Sequence, residues 1–359
     1  MFRYIKNRMK NLDMDADSKN DSTNPAPLDY NMDEDGLWDV GPVNYDDDCD
    51  ADGMPNWYED KYGVANGGWQ NPYIYNARYA VLIGGGDTDS SKNWACFWKD
   101  TKEMYKVLVN QYNYLPENVY LHFWNSKKGY KDEIYVDGPA DWHVGESNQG
   151  VWGGGVKESL DTLENKMTKN DFLYLFMVAH GGKDPATGEK IGSIQGYDIE
   201  HDIEYQIYYA SFTTAPSPPG EDNVLDIELN QLISARMVIV SAACDSGTAI
   251  KGRDNEPDKN LKGENRIIIT STDRAEPSFC WYGNWPDSSD DYDHQEFLWN
   301  EDTNGFVRKL KESGVISLKT AFDSGKEAAL DDEWYTAQWD ASHAQLYEWS
   351  GGMASYTYL

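Results

Sequence analysis

The sequence predicts an α/β fold, a three-layer α/β/α sandwich with a mainly parallel central sheet. Five short runs of apolar residues predict the strands, because runs without polar alternation are typical of strands that are buried on both faces. Segments with apolar residues at helical spacing separate these runs, and strand–helix–strand order with right-handed crossovers produces a layered sandwich. The five predicted strands are 79–85, 119–124, 172–180, 237–243 and 266–270.

Helical periodicity fills the segments between and after these strands. In the first such segment Phe97, Met104 and Leu108 recur at helical spacing. We detect no internal repeat of solenoid length, so we expect one domain with a decorated N-terminus. The predicted helices are 94–112, 155–167 and 227–233, and two more, 295–313 and 318–330, close the domain. The chain is predicted to divide into an acidic tail (1–70), the domain (71–335) and a C-terminal extension (336–359).

The charge balance restricts the class of partner. The 359 residues include 31 Lys or Arg and 62 Asp or Glu, so the formal net charge is −31. Such an excess of carboxylates argues against a nucleic acid or an anionic membrane as partner, and it suits basic ligands or bound cations. No stretch approaches the roughly 20 continuous apolar residues of a membrane span. The basic start, MFRYIKNRMK, has no apolar segment of a secretory signal, so no signal peptide is visible.

The acidic tail contains a calcium-type loop. Residues 11–60 hold sixteen Asp or Glu and one Lys. Asp48–Glu59 has acids at loop positions 1, 3 and 5, Gly53 at 6 and Glu at 12, the spacing that converges oxygens on one Ca²⁺ ion. The alternative is a solvated acidic linker. The predicted ligands are Asp48, Asp50, Asp52, Asn56 and Glu59.

This loop departs from a paired EF-hand at its eighth position, which is Pro55. It resembles the short acidic calcium loops of prokaryotic surface proteins, and that resemblance implies an extracellular or cell-surface location. Asn31–Asp39 resembles a second, degenerate loop without its closing glutamate.

The cysteines do not form a disulfide scaffold. The chain has four cysteines, Cys49, Cys96, Cys244 and Cys280, which are too few and too scattered for such a scaffold. Buried thiols, one bridge or one chemically active thiol remain as interpretations.

Two of the predicted strands end in reactive residues. His180 follows the third strand and is followed by two glycines, and Cys244 follows the fourth strand within the sequence SAACDSG. The carboxyl ends of parallel strands form the edge at which open α/β folds build their sites. An imidazole beside a thiol can act as its base, while the backbone N–H groups of Gly181 and Cys244 could bind an oxyanion.

Each residue alone has a plainer explanation. Cysteine is among the most buried residue types, and a single histidine after a strand is usually structural. The joint occurrence at two strand ends, each followed by small residues, favours catalysis. The other five histidines show no metal-ligand spacing.

At these residues the chain resembles the caspase-like (clan CD) cysteine peptidases, and within them the legumain family. His180-Gly181 after one apolar strand and Ala243-Cys244-Asp245-Ser246-Gly247 after the next are similar to the paired motifs of that family. The segment 272–282, TDRAEPSFCWY, is similar to its substrate-pocket segment, and the resemblance covers residues 77–330. It implies a caspase-like fold and a cysteine endopeptidase with Cys244 as nucleophile and His180 as base.

The resemblance also indicates where the substrate pocket lies, and we expect Ala242, Ser278 and Asp291 to line it. Legumains have a glutamate where this chain has Ala242, and their arginine after the first strand has no counterpart here. Residues 284–304 contain no Lys or Arg and the aspartates 287, 290, 291 and 293. A negative potential in a cleft favours cationic side chains, so we expect Lys or Arg before the cleaved bond, over Asn or Asp.

Two other classes of function compete with a cysteine endopeptidase. A catalytically silent, calcium-binding surface module with the same fold is the alternative, and the presence of both reactive residues argues against it. An α/β-hydrolase requires a G-x-S-x-G elbow, which the sequence lacks. For the third catalytic group, Asn93 is a candidate by position, and a backbone carbonyl is the alternative. A peptide or protein substrate is the expected partner.

The acidic loop predicts measurable calcium binding. Asp48–Glu59 should bind Ca²⁺ with a micromolar to millimolar Kd and raise the thermal stability through mass action. Glu59→Ala should weaken binding most among single changes, because Glu59 would supply two oxygens. Titration calorimetry measures both, and an absence of heat with millimolar calcium, or unchanged binding by Glu59→Ala, would refute the site.

Overall fold

A computed structural model describes residues 77–85, 93–123, 156–169, 171–183, 190–198, 203–211, 224–274, 276–278, 294–299, 304–313, 316–330, 343–350, 352–355, 357 and 359. The chain divides into two units, Met1–Ala77 and Arg78–Leu359, and the elements below belong to the second. The acidic loop, with its five predicted calcium ligands, lies outside the described residues.

The described strands and helices alternate at the start of the domain, and a run of consecutive strands follows. The strands are β1 (Arg78–Gly84), β2 (Val119–Phe123), β3 (Phe172–Val178), β4 (His180–Lys183), β5 (Lys190–Asp198), β6 (Ile203–Tyr208), β7 (Arg236–Ala242), β8 (Arg266–Thr270) and β9 (Gln345–Glu348). The helices are α1 (Asn93–Asn110), α2 (Lys157–Lys166), α3 (Leu225–Gln231), α4 (Thr248–Lys251), α5 (Phe306–Glu312) and α6 (Leu318–Leu330), with short 3₁₀ helices at Pro116–Asn118 and Met353–Ser355.

A six-stranded, mostly parallel sheet confirms the predicted α/β class. Its strand order is β2-β1-β3-β7-β8-β9, and every neighbouring pair is parallel except β8 with β9. The five predicted strands correspond to β1, β2, β3, β7 and β8 within two residues at each end. Their apolar character follows from burial, because every residue of β3, β7 and β8 is buried.

Helices contact both faces of this sheet, which is compatible with the predicted three-layer arrangement. Alternate strand residues such as Phe176 and Val240 share one core cluster with residues of α1, α5 and α6. On β2, His122 points the other way and contacts Ser159 of α2 at 3.0 Å. Lys157 of α2 in turn pairs with Glu228 of α3 at 3.2 Å.

Two additions to the sheet were not predicted. Strands β4, β5 and β6 form a separate antiparallel sheet that follows directly from the end of β3. Strand β9 lies in the segment treated above as a C-terminal extension, and it forms the antiparallel edge of the main sheet. In both additions polar or glycine residues interrupt the apolar ones, so continuous apolar runs could not reveal them.

The predicted helix 295–313 is wrong in its first half. The described residues 294–299 form turns, and the helix begins only at Phe306. Gly305 precedes it with φ 126°, a conformation that glycine alone adopts readily and that interrupts any helix through this point.

The central strand predicts a large stability loss on truncation. Phe176 is completely buried in β3, so Phe176→Ala should lower the free energy of unfolding by about 3–5 kcal/mol. Leu330→Ala is the control, because that side chain is 41% exposed and should change stability little. Urea denaturation compares the two, and equal effects would contradict the assigned core.

Candidate active site

The register of two neighbouring strands brings His180 and Cys244 to the same edge of the sheet. β3 and β7 pair in parallel along their whole length, and the last pair is Val178 with Ala242. The amide of Ala179 continues this ladder, since it donates to Ala242 O at 3.3 Å. His180 and Cys244 each follow that last pair by two residues, so the two reactive residues occupy equivalent positions at the carboxyl ends of adjacent strands.

The residue after the histidine packs directly on the cysteine. A Cβ placed on Gly181 would lie 2.8 Å from the carbonyl carbon and 2.9 Å from the Cβ of Cys244, closer than side chains tolerate. Only glycine permits this approach. The structure thus brings His180-Gly181 and Cys244 together, as the sequence predicted, while the oxyanion role of the Gly181 and Cys244 amides remains a prediction.

Cys244 is presented by a tight turn. Asp245, the next residue, has φ 59°, a left-handed conformation that aspartate tolerates better than most residues. Its amide donates to Glu276 O at 2.8 Å, and the amide of Ser246 donates back to Ala243 O at 3.2 Å. The turn exposes Cys244 partly while the residues on both sides of it are buried.

A cluster of hydroxyl groups fixes this turn from below. The Ser246 amide donates to Thr272 Oγ1 at 3.1 Å, and the Thr272 amide donates to Ser246 Oγ at 3.2 Å. The hydroxyls of Ser271 and Thr272 lie 3.4 and 3.3 Å from Ala243 O, the carbonyl just before Cys244. The buried polar groups of Ser246, Ser271 and Thr272, which follow β7 and β8, therefore find hydrogen-bond partners within this cluster, as buried polar groups must.

The sulfur of Cys244 contacts the predicted pocket segment. The amide of Ser278 donates to Cys244 Sγ at 3.2 Å, and Sγ lies 3.6 Å from Ser278 O. Among the described cysteines Cys244 is the free thiol. Cys96 is buried and disulfide-bonded, with its partner outside the described residues. One bridge and one free thiol thus coexist, where the sequence alone left these interpretations open.

The imidazole of His180 is held by an aromatic ring of α1. Phe97 meets it edge to face, with ring centroids 5.1 Å apart and an interplanar angle of 88°. Backbone pairing of His180 with Gln195 in β4 and β5 anchors the same residue from the second sheet. The side chain of Asn93, the candidate third residue, lies outside the described residues.

The three predicted pocket residues have different outcomes. Ser278 lies against the sulfur, as described above. Ala242 is 1% exposed and belongs to the core cluster, so its methyl group packs inward at the strand end. Asp291 lies outside the described residues. Their roles in binding substrate remain predictions.

A second polar network behind Ser278 was not predicted. The Gln295 side-chain amide donates to Ser278 Oγ, which also lies 3.0 Å from Ser271 Oγ. The Gln295 main-chain amide donates to Asp100 Oδ2 at 2.9 Å, and His294 Nδ1 lies 2.5 Å from Asp100 Oδ1. Burial raises the pKa of Asp100 above its ordinary value, and His294 and the Gln295 amide oppose that rise. The sequence carries no signal for this network, because Asp100 lies 194 residues before His294 and 195 before Gln295.

A buried tyrosine lies within electrostatic reach of the turn. Tyr209 donates or accepts a 2.7 Å hydrogen bond with Ser241, three residues before Cys244. Burial raises the pKa of the Tyr209 hydroxyl, the hydrogen bond with Ser241 lowers it, and the electrostatic interactions with Asp245 and Cys244 raise it further. Tyr209 therefore stays protonated, and its hydroxyl stabilises the end of β7.

Neither a protein-family model nor a curated protein sequence matches this chain. No described helix is long and apolar enough to cross a membrane. In the part of the chain that the structure describes, no group of three or more His, Cys, Asp or Glu side chains is placed to hold a metal ion.

The close approach at Gly181 predicts a sharp sensitivity to added volume. Gly181→Ala should displace the Cys244 turn, lower the free energy of unfolding by about 1–3 kcal/mol and change the rate at which iodoacetamide alkylates Cys244. Gly263→Ala is the matched control, because its Cβ would meet only the Arg266 side chain at 3.1 Å. If both variants keep the wild-type stability and alkylation rate, the packing of Gly181 on Cys244 is wrong.

Proposed function

We propose that this protein is a cysteine endopeptidase with a caspase-like fold, of the legumain-like kind. The observation that carries the proposal is the parallel register of β3 and β7, which places His180 and Cys244 two residues beyond the same strand pair. A histidine next to a partly exposed free thiol, at the carboxyl edge of a parallel sheet, is the arrangement that nucleophilic acyl transfer requires.

The chemistry follows from these two side chains. His180 takes the proton of the Cys244 thiol, and Sγ attacks the carbonyl carbon of the peptide bond. The amides of Gly181 and Cys244 would stabilise the oxyanion that forms. His180 then gives its proton to the leaving amine, which departs and leaves a thioester on Cys244. A water molecule, deprotonated by His180, attacks the thioester and releases the new carboxyl group and the thiol.

The surroundings of the thiol support this proposal. Ser278 donates its amide to the sulfur, and the hydroxyls of Ser271 and Thr272 hold the carbonyl of Ala243. The turn at Asp245 presents the thiol outward, as a nucleophile that must reach a substrate requires. The alternative function, a catalytically silent surface module, would not require a free, partly exposed thiol in this position.

Location and calcium belong to the same proposal. The disulfide at Cys96 supports an extracellular or cell-surface location, because disulfides persist in oxidising compartments. Calcium at Asp48–Glu59 would add stability to such a protein and take no part in bond cleavage.

Hydrolysis should depend on both reactive side chains. Cys244→Ala should abolish peptide cleavage and leave the fold intact, and His180→Ala should reduce kcat/KM at least about a hundredfold, the usual contribution of a positioned base. Profiling on a peptide library, with and without calcium, provides the measurement, and Lys319→Ala is the control because that side chain pairs with Asp323 at 2.6 Å on the surface of α6. Cleavage that survives Cys244→Ala would exclude this nucleophile.

Cleavage should follow Lys or Arg rather than Asn or Asp. Arg274, a cation on the described part of the pocket segment, pairs with Asp254 at 2.5 Å, so its charge is already countered. The aspartates around Asp291 would then attract a cationic side chain, and the rate should fall as salt is raised. Initial rates on matched fluorogenic peptides ending in Arg, Lys, Asn and Asp test this. A preference for Asn or Asp, or salt-independent rates on Arg peptides, would refute it.

A further inference from the structure

We infer that Gln295 is a positioning residue, which holds Ser278 and through it the sulfur of Cys244. The inference rests on the proposed function, since it gives Cys244 its importance, but the contacts that carry it involve no substrate. They form a continuous set of hydrogen bonds from the buried Asp100–His294 pair to the turn that presents the thiol.

The carboxamide of Gln295 has one orientation in this set. Its Oε1 accepts the Leu298 amide at 3.1 Å, so its Nε2 is the group that donates to Ser278 Oγ. Gln295 is only 3% exposed, and its contacts are therefore protected from exchange with water.

The direction of the remaining bonds follows from this orientation. Ser278 Oγ accepts from Gln295, so its own proton is available for Ser271 Oγ at 3.0 Å. Ser271 can then donate to Ala243 O at 3.4 Å, the carbonyl before Cys244. The amide of the same Ser278 donates to Cys244 Sγ at 3.2 Å. Gln295 thus fixes Ser278. Ser278 in turn contacts the sulfur directly through its amide, and it reaches the Ala243 carbonyl through Ser271.

The backbone of Gln295 is itself anchored. Its amide donates to Asp100, which is completely buried in α1 and pairs with His294 at 2.5 Å. The His294 ring stacks on Trp299 at 4.9 Å with an interplanar angle of 19°. Because both ends of Gln295 are fixed, its side chain can determine the position of Ser278 rather than adapt to it.

A double-mutant cycle on the alkylation rate of Cys244 tests the inference. The probe is iodoacetamide, and the variants are Gln295→Ala, Ser278→Ala and the double variant in the full chain. Each single change should slow alkylation about three- to tenfold, the usual effect of losing one buried hydrogen bond. Because Gln295 acts through Ser278, the double variant should be no slower than the slower single one. Gln231→Ala, at an exposed glutamine of α3, is the control.

Gln295→Glu provides a second readout, the pH dependence of the alkylation rate, which a merely structural role of Gln295 would leave unchanged. It keeps the size of the side chain and the acceptor for Leu298, and it can donate to Ser278 only when its carboxyl is protonated. Its alkylation rate, divided by the wild-type rate, should therefore rise as the pH falls through the titration of that carboxyl. Asp100, His294, the buried Glu296 and Cys244 are titratable groups near Gln295 that the wild-type protein shares, and Gln231→Glu supplies the charge control.

The outcomes separate this inference from the proposed function. Effects that multiply in the double variant, an unchanged rate in Gln295→Ala, or a pH-independent ratio for Gln295→Glu would each overturn the positioning role. If Gln295→Ala does not fold, the Gln295→Glu ratio decides alone. Alkylation needs no peptide, so a protein that cleaves none would refute the peptidase proposal while the cycle still decides the role of Gln295.

Discussion

The site depends on the parallel pairing of β3 with β7. Every residue of both strands is buried, so a shift of the register by one residue would turn apolar side chains toward the wrong layer. The same register that buries the core therefore also fixes which residues emerge together at the edge. The hydrophobic packing of β3 and β7 therefore determines the positions of His180 and Cys244, which follow these strands.

The polar groups around Cys244 satisfy a second constraint. A turn with a left-handed Asp245 leaves main-chain groups that must find partners inside the protein. The hydroxyls of Ser271 and Thr272, just after β8, supply partners for the Ala243 carbonyl and the Ser246 amide, and the Glu276 carbonyl accepts the Asp245 amide. The segment beyond β8 is anchored in turn, because Lys251 and the Arg274 amide donate to Asp273. Burial alone would raise the pKa of that carboxyl, and these donors lower it below its ordinary value.

Much of the fold could be predicted because burial on both faces of a sheet leaves continuous apolar runs. Five of the six strands of the main sheet, and the candidate site residues that follow two of them, were accessible in this way. Strands β4 to β6 and β9 were not, since polar or glycine residues interrupt their apolar ones, and β9 also pairs with a strand far away in sequence. The turn at 294–299 was predicted as part of a helix, because no sequence pattern shows that Gly305 adopts a φ of 126° before the helix begins. The Asp100–His294–Gln295 network joins α1 to a turn far along the chain, and no local pattern predicts such a contact.

The central claim is that Cys244 is a nucleophile that His180 activates. Its most direct test is a peptidyl acyloxymethyl ketone, an electrophile that forms a thioether with the attacking cysteine. After reaction, mass spectrometry of proteolytic fragments should place the adduct on Cys244, and the rate of labelling should fall strongly in His180→Ala. Labelling of another residue, or equal rates in the wild-type protein and His180→Ala, would contradict the account.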